Sequence, residues 1–117
     1  MADLHAVKVF DVDVTSGATL SSALDLRQGW RDISLKIPSF SSGSDIFVHA
    51  AITSTGTYVR VTHPPVNTGT AQVEDFKIES GLAGRIIPIP SNYQHIKVEL
   101  STGQTDTTSS FNVICRS

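Results

Sequence analysis

Hydrophobic residues alternate with polar residues along most of this chain, and that period of two constrains the fold more than any other feature. Successive side chains of a β-strand point to opposite faces, so the alternation predicts strands with one buried and one solvent-facing side. The clearest alternating runs are residues 10–14, 33–37, 46–52, 59–61, 95–100 and 111–116. No segment places apolar residues three and four apart among good helix formers over three turns, so we expect almost no helix.

Three weaker strands are predicted at residues 19–26, 73–78 and 85–89. The last contains Pro88, which cannot donate a ladder hydrogen bond and therefore favours an edge strand or a bulge. The total is about eight or nine short strands separated by turn residues, a pattern typical of a β-sandwich, a jelly roll or a small barrel. Strand signals continue on both sides of every loop, so residues 1–117 are predicted to form one all-β, antiparallel domain.

The phase of the alternation predicts which side chains form the core. In the strand over 46–52, Ile46, Val48, Ala50 and Ile52 share the inward face. Near the start of the chain, Val7 and Val9 are out of phase with the later run Phe10, Val12 and Val14. That break predicts either a β-bulge or a strand covered on both sides.

Composition excludes several classes of function. The single cysteine, Cys115, cannot form an intramolecular disulfide and lies in an apolar run, so we expect it in the core. The start of the chain lacks a basic patch followed by a long apolar stretch, and no apolar run approaches the roughly 20 residues that span a bilayer. With a net charge of −2 and scattered basic residues, we expect a soluble protein made in the cytoplasm that binds neither membrane nor nucleic acid.

No catalytic or metal-binding pattern is evident. The four histidines lie in separate segments, without the close spacing of a metal site. Asp11 and Asp13 project from one strand face and could contribute to a calcium site, but the sequence identifies no third or fourth oxygen ligand, so a solvated strand face is the favoured interpretation. There is no Gly-x-Ser-x-Gly motif and no glycine-rich loop between a strand and a helix. We therefore expect a protein that is not an enzyme and needs no metal or cofactor.

A few large side chains are more informative because the strand pattern does not require them. Trp30 begins a strand beside Arg31 and is interpreted as a cap on the core, with an interface anchor as the alternative. Phe40 lies in a serine-rich loop, and Tyr58 lies beside Arg60 on the polar side of its strand. Each of these aromatic residues is a candidate contact or an edge filler.

The segment His63, Pro64, Pro65 and Val66 is a stiff, apolar stretch inside a long loop. Long loops without regular structure are often functional, and two prolines reduce the entropy lost when a loop is ordered on binding. This segment is a candidate docking element, and a passive crossover between sheets is the alternative. The candidate interface residues are thus Trp30, Phe40, Tyr58, Arg60, His63, Pro64, Pro65 and Val66.

The order of features resembles the head decoration, or cement, proteins of tailed phages, which have a jelly-roll-like β-sandwich. The residues that carry the resemblance span most of the chain in pattern: 15–26, 33–37, 46–52, 54–59, 84–90, 93–101 and 111–115. The resemblance implies a virion protein that binds the outer surface of the assembled major capsid protein, often as a dimer or trimer, and reinforces it. The Pro64 and Pro65 loop has no counterpart in that family pattern.

A second hypothesis is a carbohydrate- or receptor-binding β-sandwich of a phage tail or fibre. Its basis is the set of aromatic residues Trp30, Tyr58 and Tyr93, which could serve as platforms on which sugar rings stack. The two hypotheses share the fold and differ in the partner.

Overall fold

The computed structural model describes residues 7–40, 43–53, 55–63, 74–90, 93–105 and 107–117. Within these ranges the protein is all-β, as the alternation predicts, and no helix is present. The described residues accordingly contain no helix that is long and apolar enough to cross a membrane.

The described residues form eleven strands, of which five contain only two residues. They are β1 (Val7–Val14), β2 (Leu24–Asp25), β3 (Asp32–Lys36), β4 (Ile46–Ala51), β5 (Val59–Arg60), β6 (Thr62–His63), β7 (Glu74–Asp75), β8 (Lys77–Ile78), β9 (Ile86–Ile89), β10 (His95–Leu100) and β11 (Ser109–Arg116).

Two antiparallel sheets make up the body of the molecule. The first sheet has the order β1-β11-β3-β9, and the second has the order β2-β10-β4-β5, with β8 also paired to β4. Along the chain β1, β3, β9 and β11 belong to the first sheet, whereas β2, β4, β5 and β10 belong to the second. These two sets of four strands form a jelly roll, and β8 is an additional strand of the second sheet. Strands β6 and β7 pair separately, in a short extension beyond β5.

The core lies between the two sheets and consists of the inward side chains that the alternation predicts. The first sheet contributes Val12, Val14, Ile33, Leu35, Phe111, Val113 and Cys115, and the second contributes Ile46, Val48, Ala50, Ile96, Val98 and Leu100. Burying each large aliphatic or aromatic side chain stabilises the fold by about 1.5–3 kcal/mol before the entropy cost of folding. The sandwich is therefore held mainly by these paired inner faces.

The edge position predicted for the strand with Pro88 is confirmed. Strand β9 pairs only with β3 among the described strands, and Pro88 lies opposite Ser34. A proline at this position leaves no interior ladder bond unmade, because β9 forms the edge of the first sheet.

The prediction for Val7 and Val9 is wrong in both of its forms. Strand β1 pairs with β11 in one unbroken register from Val7 to Val14, so there is no bulge. The side chains of Val7 and Val9 are 60% and 55% exposed, so the strand is not covered on both sides. They lie instead on the outer face of the first sheet, in phase with Asp11 and Asp13.

The inward position predicted for Ile52 is also wrong. Strand β4 ends at Ala51, and Ile52 is 82% exposed. The alternation gives the correct face for a residue only as far as an opposite sheet is present to cover it. Ile52 lies beyond that point.

Candidate protein-binding surface

The outer face of the second sheet carries a group of charged side chains centred on Arg60, here called the Arg60 cluster. Its members are Arg60, Glu99, Asp75 and His49. Arg60 donates two hydrogen bonds to the Glu99 carboxylate, from Nε to Oε1 and from Nη2 to Oε2, each 3.0 Å long. Arg60 Nη1 donates a third, of 3.0 Å, to Asp75 Oδ2. His49 Nε2 lies 2.7 Å from Glu99 Oε1, which completes the cluster.

Strand register brings the cluster together. His49 on β4 lies opposite Arg60 on β5, and Phe47 lies opposite Glu99 on β10. Paired residues of antiparallel strands project from the same face of the sheet. The guanidinium carbon of Arg60 therefore lies 3.8 Å from the ring centroid of Phe47, within the range of a cation–π contact.

The contacts within the cluster favour the charged forms of Arg60 and Glu99. The hydrogen bonds from Arg60, and secondarily the contact with His49, hold the pKa of Glu99 below its ordinary value. Glu99, followed by Asp75, in turn raises the pKa of Arg60 above its ordinary value. Two carboxylates thus pair with Arg60 within the chain. Its guanidinium links β5, β10 and β7 and is engaged in internal contacts on the protein surface.

Tyr58 precedes β5 on the same outer face as Arg60, as the sequence predicts. The side chain of Tyr58 is half-buried, and Lys97 Nζ lies 4.5 Å from the centroid of its ring. A cation already occupies part of this aromatic surface.

Next to Arg60, a set of exposed apolar side chains forms the apolar rim, which consists of Ile52, Val59 and Tyr93. They are 82%, 61% and 50% exposed. The rim surrounds a concavity of about 440 Å³ whose wall is mostly small and apolar. The lining residues are Ala50, Ala51, Ile52, Thr57, Val59, Arg60, Val61, Thr62, Pro90 and Tyr93. Exposed apolar side chains clustered beside polar ones are typical of a protein-binding surface.

The candidate interface residues from the sequence do not all lie together. Tyr58 and Arg60 lie beside the apolar rim. Trp30 is in the core, where its Nε1 donates a 2.8 Å hydrogen bond to the carbonyl oxygen of Leu26. Phe40 is half-buried, with its ring centroid 6.1 Å from that of Phe111.

The proline-containing segment is only partly described. The backbone of His63 ends β6, which pairs with β7. Pro64, Pro65 and Val66 lie outside the described residues, so their role as a docking element stays a prediction.

Ile52 and Val59 are the residues of the apolar rim that sequence reasoning missed. The alternation predicts an inward face for Ile52, in phase with the buried Ala50, and Val59 likewise keeps the phase of the buried Val61. The sequence does contain one signal, because residues 53–57, between the two strands, are all Thr, Ser or Gly. A hairpin turn of such residues places the adjoining strand ends at the periphery of a sheet.

Reactive groups are scarce in the described part of the chain. It contains no group of three or more His, Cys, Asp or Glu side chains that could hold a metal ion. Cys115 is fully buried, and desolvation raises the pKa of its thiol to about 11. The thiol therefore behaves as a small core side chain, as its sequence context predicts.

No protein-family model matches this sequence, and no curated protein matches it either. Among solved structures, the chain is similar to the SPBc2 prophage-derived protein YomS, with a TM-score of 0.65 at 12% sequence identity. The alignment covers 100% of this chain and 98% of the YomS chain. At this identity the likeness establishes a shared fold over the whole domain.

Proposed function

We propose that this protein binds the outer surface of an assembled phage capsid and stabilises it, as a decoration protein. The observation that carries the proposal is the likeness, over the full length of both chains, to a protein of prophage origin. A compact jelly roll with exposed loops at its ends suits such a role, because it presents contact surface without requiring an active site. The location that follows is the virion surface, and the partner is the major capsid protein.

The apolar rim is the surface that we assign to the capsid. Ile52, Val59 and Tyr93 offer apolar area at one end of the sandwich, and the Arg60 cluster fixes the adjoining strands. Interface cores are enriched in aromatic residues and in arginine and depleted in unpaired charge, and Arg60, which is paired within the chain, fits that pattern.

The test is to mix the purified protein with phage heads that lack it and to image the mixture by electron cryomicroscopy. We expect added density at positions that follow the symmetry of the capsid lattice. Binding should also raise the temperature at which the heads release their DNA. Heads that remain bare at saturating protein concentration would contradict the proposal.

Two matched variants locate the contact. Ile52→Lys places a charge in the apolar rim and should reduce head binding at least about tenfold, because an interface core tolerates an unpaired charge poorly. Ile86→Lys changes an exposed apolar residue on β9 of the first sheet, away from the rim and the Arg60 cluster, and should bind normally. Equal binding by both variants would exclude the rim as the contact surface.

A carbohydrate- or receptor-binding role is the second candidate. Tyr93 favours it, because its half-exposed ring borders a concavity of a size that could admit a sugar ring. Trp30 cannot contribute a platform in this structure, since its ring is buried. Two results together would favour this role over decoration. The protein would bind a glycan on an array and lose that binding in Tyr93→Ala, and capsids without the protein would keep normal stability.

A further inference from the structure

A second concavity, here called the β3 concavity, lies on the first sheet where β3 begins and β11 ends. Its volume of about 620 Å³ falls within the range of roughly 300–1,000 Å³ that is typical of small-ligand sites. The lining residues that determine its chemistry are Arg31, Asp32, Ser34, Pro88, Pro90 and Arg116. Pro90 also borders the concavity of the apolar rim, but the two concavities share no charged residue. The β3 concavity is therefore a separate candidate site.

The charge of the β3 concavity comes from two arginines and one aspartate. Arg31 directly precedes β3, and Arg116 ends β11, where it lies opposite Asp32. All three residues are exposed. In the described part of the chain neither of these guanidinium groups forms an ion pair or a hydrogen bond, in contrast to Arg60. Two cations beside a single carboxylate leave a net positive charge that favours an anionic group.

The same concavity also offers hydrogen-bond acceptors. Asp32 presents carboxylate oxygens, and the half-buried Ser34, two residues further on the same strand face, presents a hydroxyl. The bond from Ile37 N to Arg85 O fixes which pairs of β3 and β9 bond to each other, and Pro88 falls between them. Its backbone therefore faces the free edge of β9 with a carbonyl and no N–H. The site thus combines donors for an anion with acceptors for hydroxyl groups.

This combination disfavours a peptide or a polyanion as the ligand. An extended peptide that adds to the edge of β9 would find no donor at Pro88. A chain of phosphates or carboxylates would meet the like charge of Asp32. A small molecule with one carboxylate and several hydroxyl groups satisfies both the arginines and the acceptors.

We propose that the β3 concavity binds a uronic acid, a hexose in which C6 is a carboxylate. Arg31 and Arg116 pair with the carboxylate, and Asp32 and Ser34 accept hydrogen bonds from the sugar hydroxyls. The exposed rings of the two lining prolines contact the carbon face of the sugar. The proposal depends neither on capsid binding nor on Tyr93, because the apolar rim and the Arg60 cluster belong to the second sheet.

Matched ligands test the two halves of the site. D-Glucuronate, D-glucose and acetate are each titrated into the ¹⁵N-labelled protein and followed by NMR. Glucose lacks the carboxylate at C6, and acetate lacks the hydroxyl groups. We expect glucuronate to give saturable shifts in the amides of residues 31–34 and 116, and the other two ligands to bind at least about tenfold more weakly. Absence of glucuronate binding, or equal binding of acetate, would overturn the proposal.

Variants of the arginines locate the contact. Arg31→Gln and Arg116→Gln should each weaken glucuronate binding at least about tenfold, because each removes a charge-assisted pair. Arg85→Gln is the matched control, since Arg85 is exposed just before β9 but does not line the concavity. The amide spectrum of each variant shows whether it is folded. Normal glucuronate binding by both folded arginine variants would contradict the assignment.

Asp32→Ala separates a sugar site from a surface that only collects anions. It should weaken glucuronate binding, because it removes an acceptor for the hydroxyls, and strengthen the binding of inorganic phosphate, because it removes a like charge. Stronger binding of both ligands would overturn the proposal.

Two further arms identify the source of the sugar and separate this site from the capsid contact. Methyl β-D-glucuronide has O1 blocked, as in a glycan. Binding equal to that of glucuronate would assign the site to the end of a sugar chain, and loss of binding would assign it to the free sugar. Arg31→Gln should bind phage heads as the unmodified chain does, so the uronic acid site and the capsid contact can fail independently.

Discussion

At the scale of single residues, Ser21 shows how a side chain can replace a strand partner. Its backbone nitrogen donates a 2.9 Å hydrogen bond to the carbonyl oxygen of Val98, and its hydroxyl oxygen accepts a 2.9 Å bond from the Val98 nitrogen. Ser21 thus completes the pairing of β10 where the edge strand β2 does not reach. A buried backbone donor without a partner is costly, so this hydroxyl is a structural requirement.

We predict that Ser21→Ala lowers the free energy of unfolding by about 1–3 kcal/mol, because it leaves the buried Val98 nitrogen without an acceptor. Urea denaturation followed by tryptophan fluorescence measures the change. Ser22→Ala is the matched control, since that side chain is exposed and should change stability by less than about 0.5 kcal/mol. Similar values for the two variants would show that the hydroxyl bond is dispensable.

At the scale of elements, the Arg60 cluster joins strands that have few other contacts. Strands β5, β6 and β7 contain two residues each, and such short strands add little stability by backbone pairing alone. Arg60 links β5 to Glu99 on β10 and to Asp75 on β7. The cluster therefore holds the short strands against the longer pair β4 and β10.

Replacing Arg60 should loosen β7 more than the rest of the fold. Arg60→Lys keeps the charge but loses the paired hydrogen bonds to Glu99 and the contact with the ring of Phe47. We expect amide hydrogen exchange over residues 74–78 to become about tenfold faster, with little change in β11. Arg85→Lys, at an exposed position, should leave both regions unchanged. A uniform increase in exchange across both sheets would contradict a local role.

The same cluster predicts a dependence of stability on pH. Because the folded-state pKa of Glu99 lies below its ordinary value of 4.5, its contribution is present above that value and is lost as the pH falls through the folded-state pKa. Glu99→Gln should therefore reduce stability at neutral pH and flatten its decline in acid. Thermal melts from neutral pH into the acid range, with Glu79→Gln as the exposed control, measure the difference. Parallel curves for Glu99→Gln and the unmodified chain would exclude this linkage.

The sequence predicts the long strands because their alternation is a direct consequence of one buried and one exposed face. It predicts the edge position of Pro88 because proline lacks a backbone donor. The sequence does not predict the exposure of Ile52, because alternation assigns a face but carries no information on where the opposite sheet ends. The sequence does not predict the Arg60 cluster either, for another reason. Its members lie far apart along the chain, and only the strand register places Arg60 between Glu99 and Asp75.

At the scale of the whole molecule, Cys115 reports on the cooperativity of the two sheets. It lies on β11, which pairs with β1 on one side and β3 on the other, and its side chain is fully buried. Fraying of the short strands of the second sheet leaves these pairings intact. Reaction of the thiol with a labelling reagent therefore requires the sandwich itself to open.

We predict that the free energy of opening measured by thiol labelling equals the free energy of unfolding measured in urea, within about 1 kcal/mol. The reason is that the inner faces of both sheets share one core, so the first sheet cannot expose Cys115 without losing its contacts with the second. As a control, a chain with Cys115→Ala and Ser110→Cys should react at the rate of a free thiol, because residue 110 is exposed on the same strand. Labelling of Cys115 much faster than urea unfolding allows would show that the sheets separate before the chain unfolds, and that the jelly roll is not a single cooperative unit.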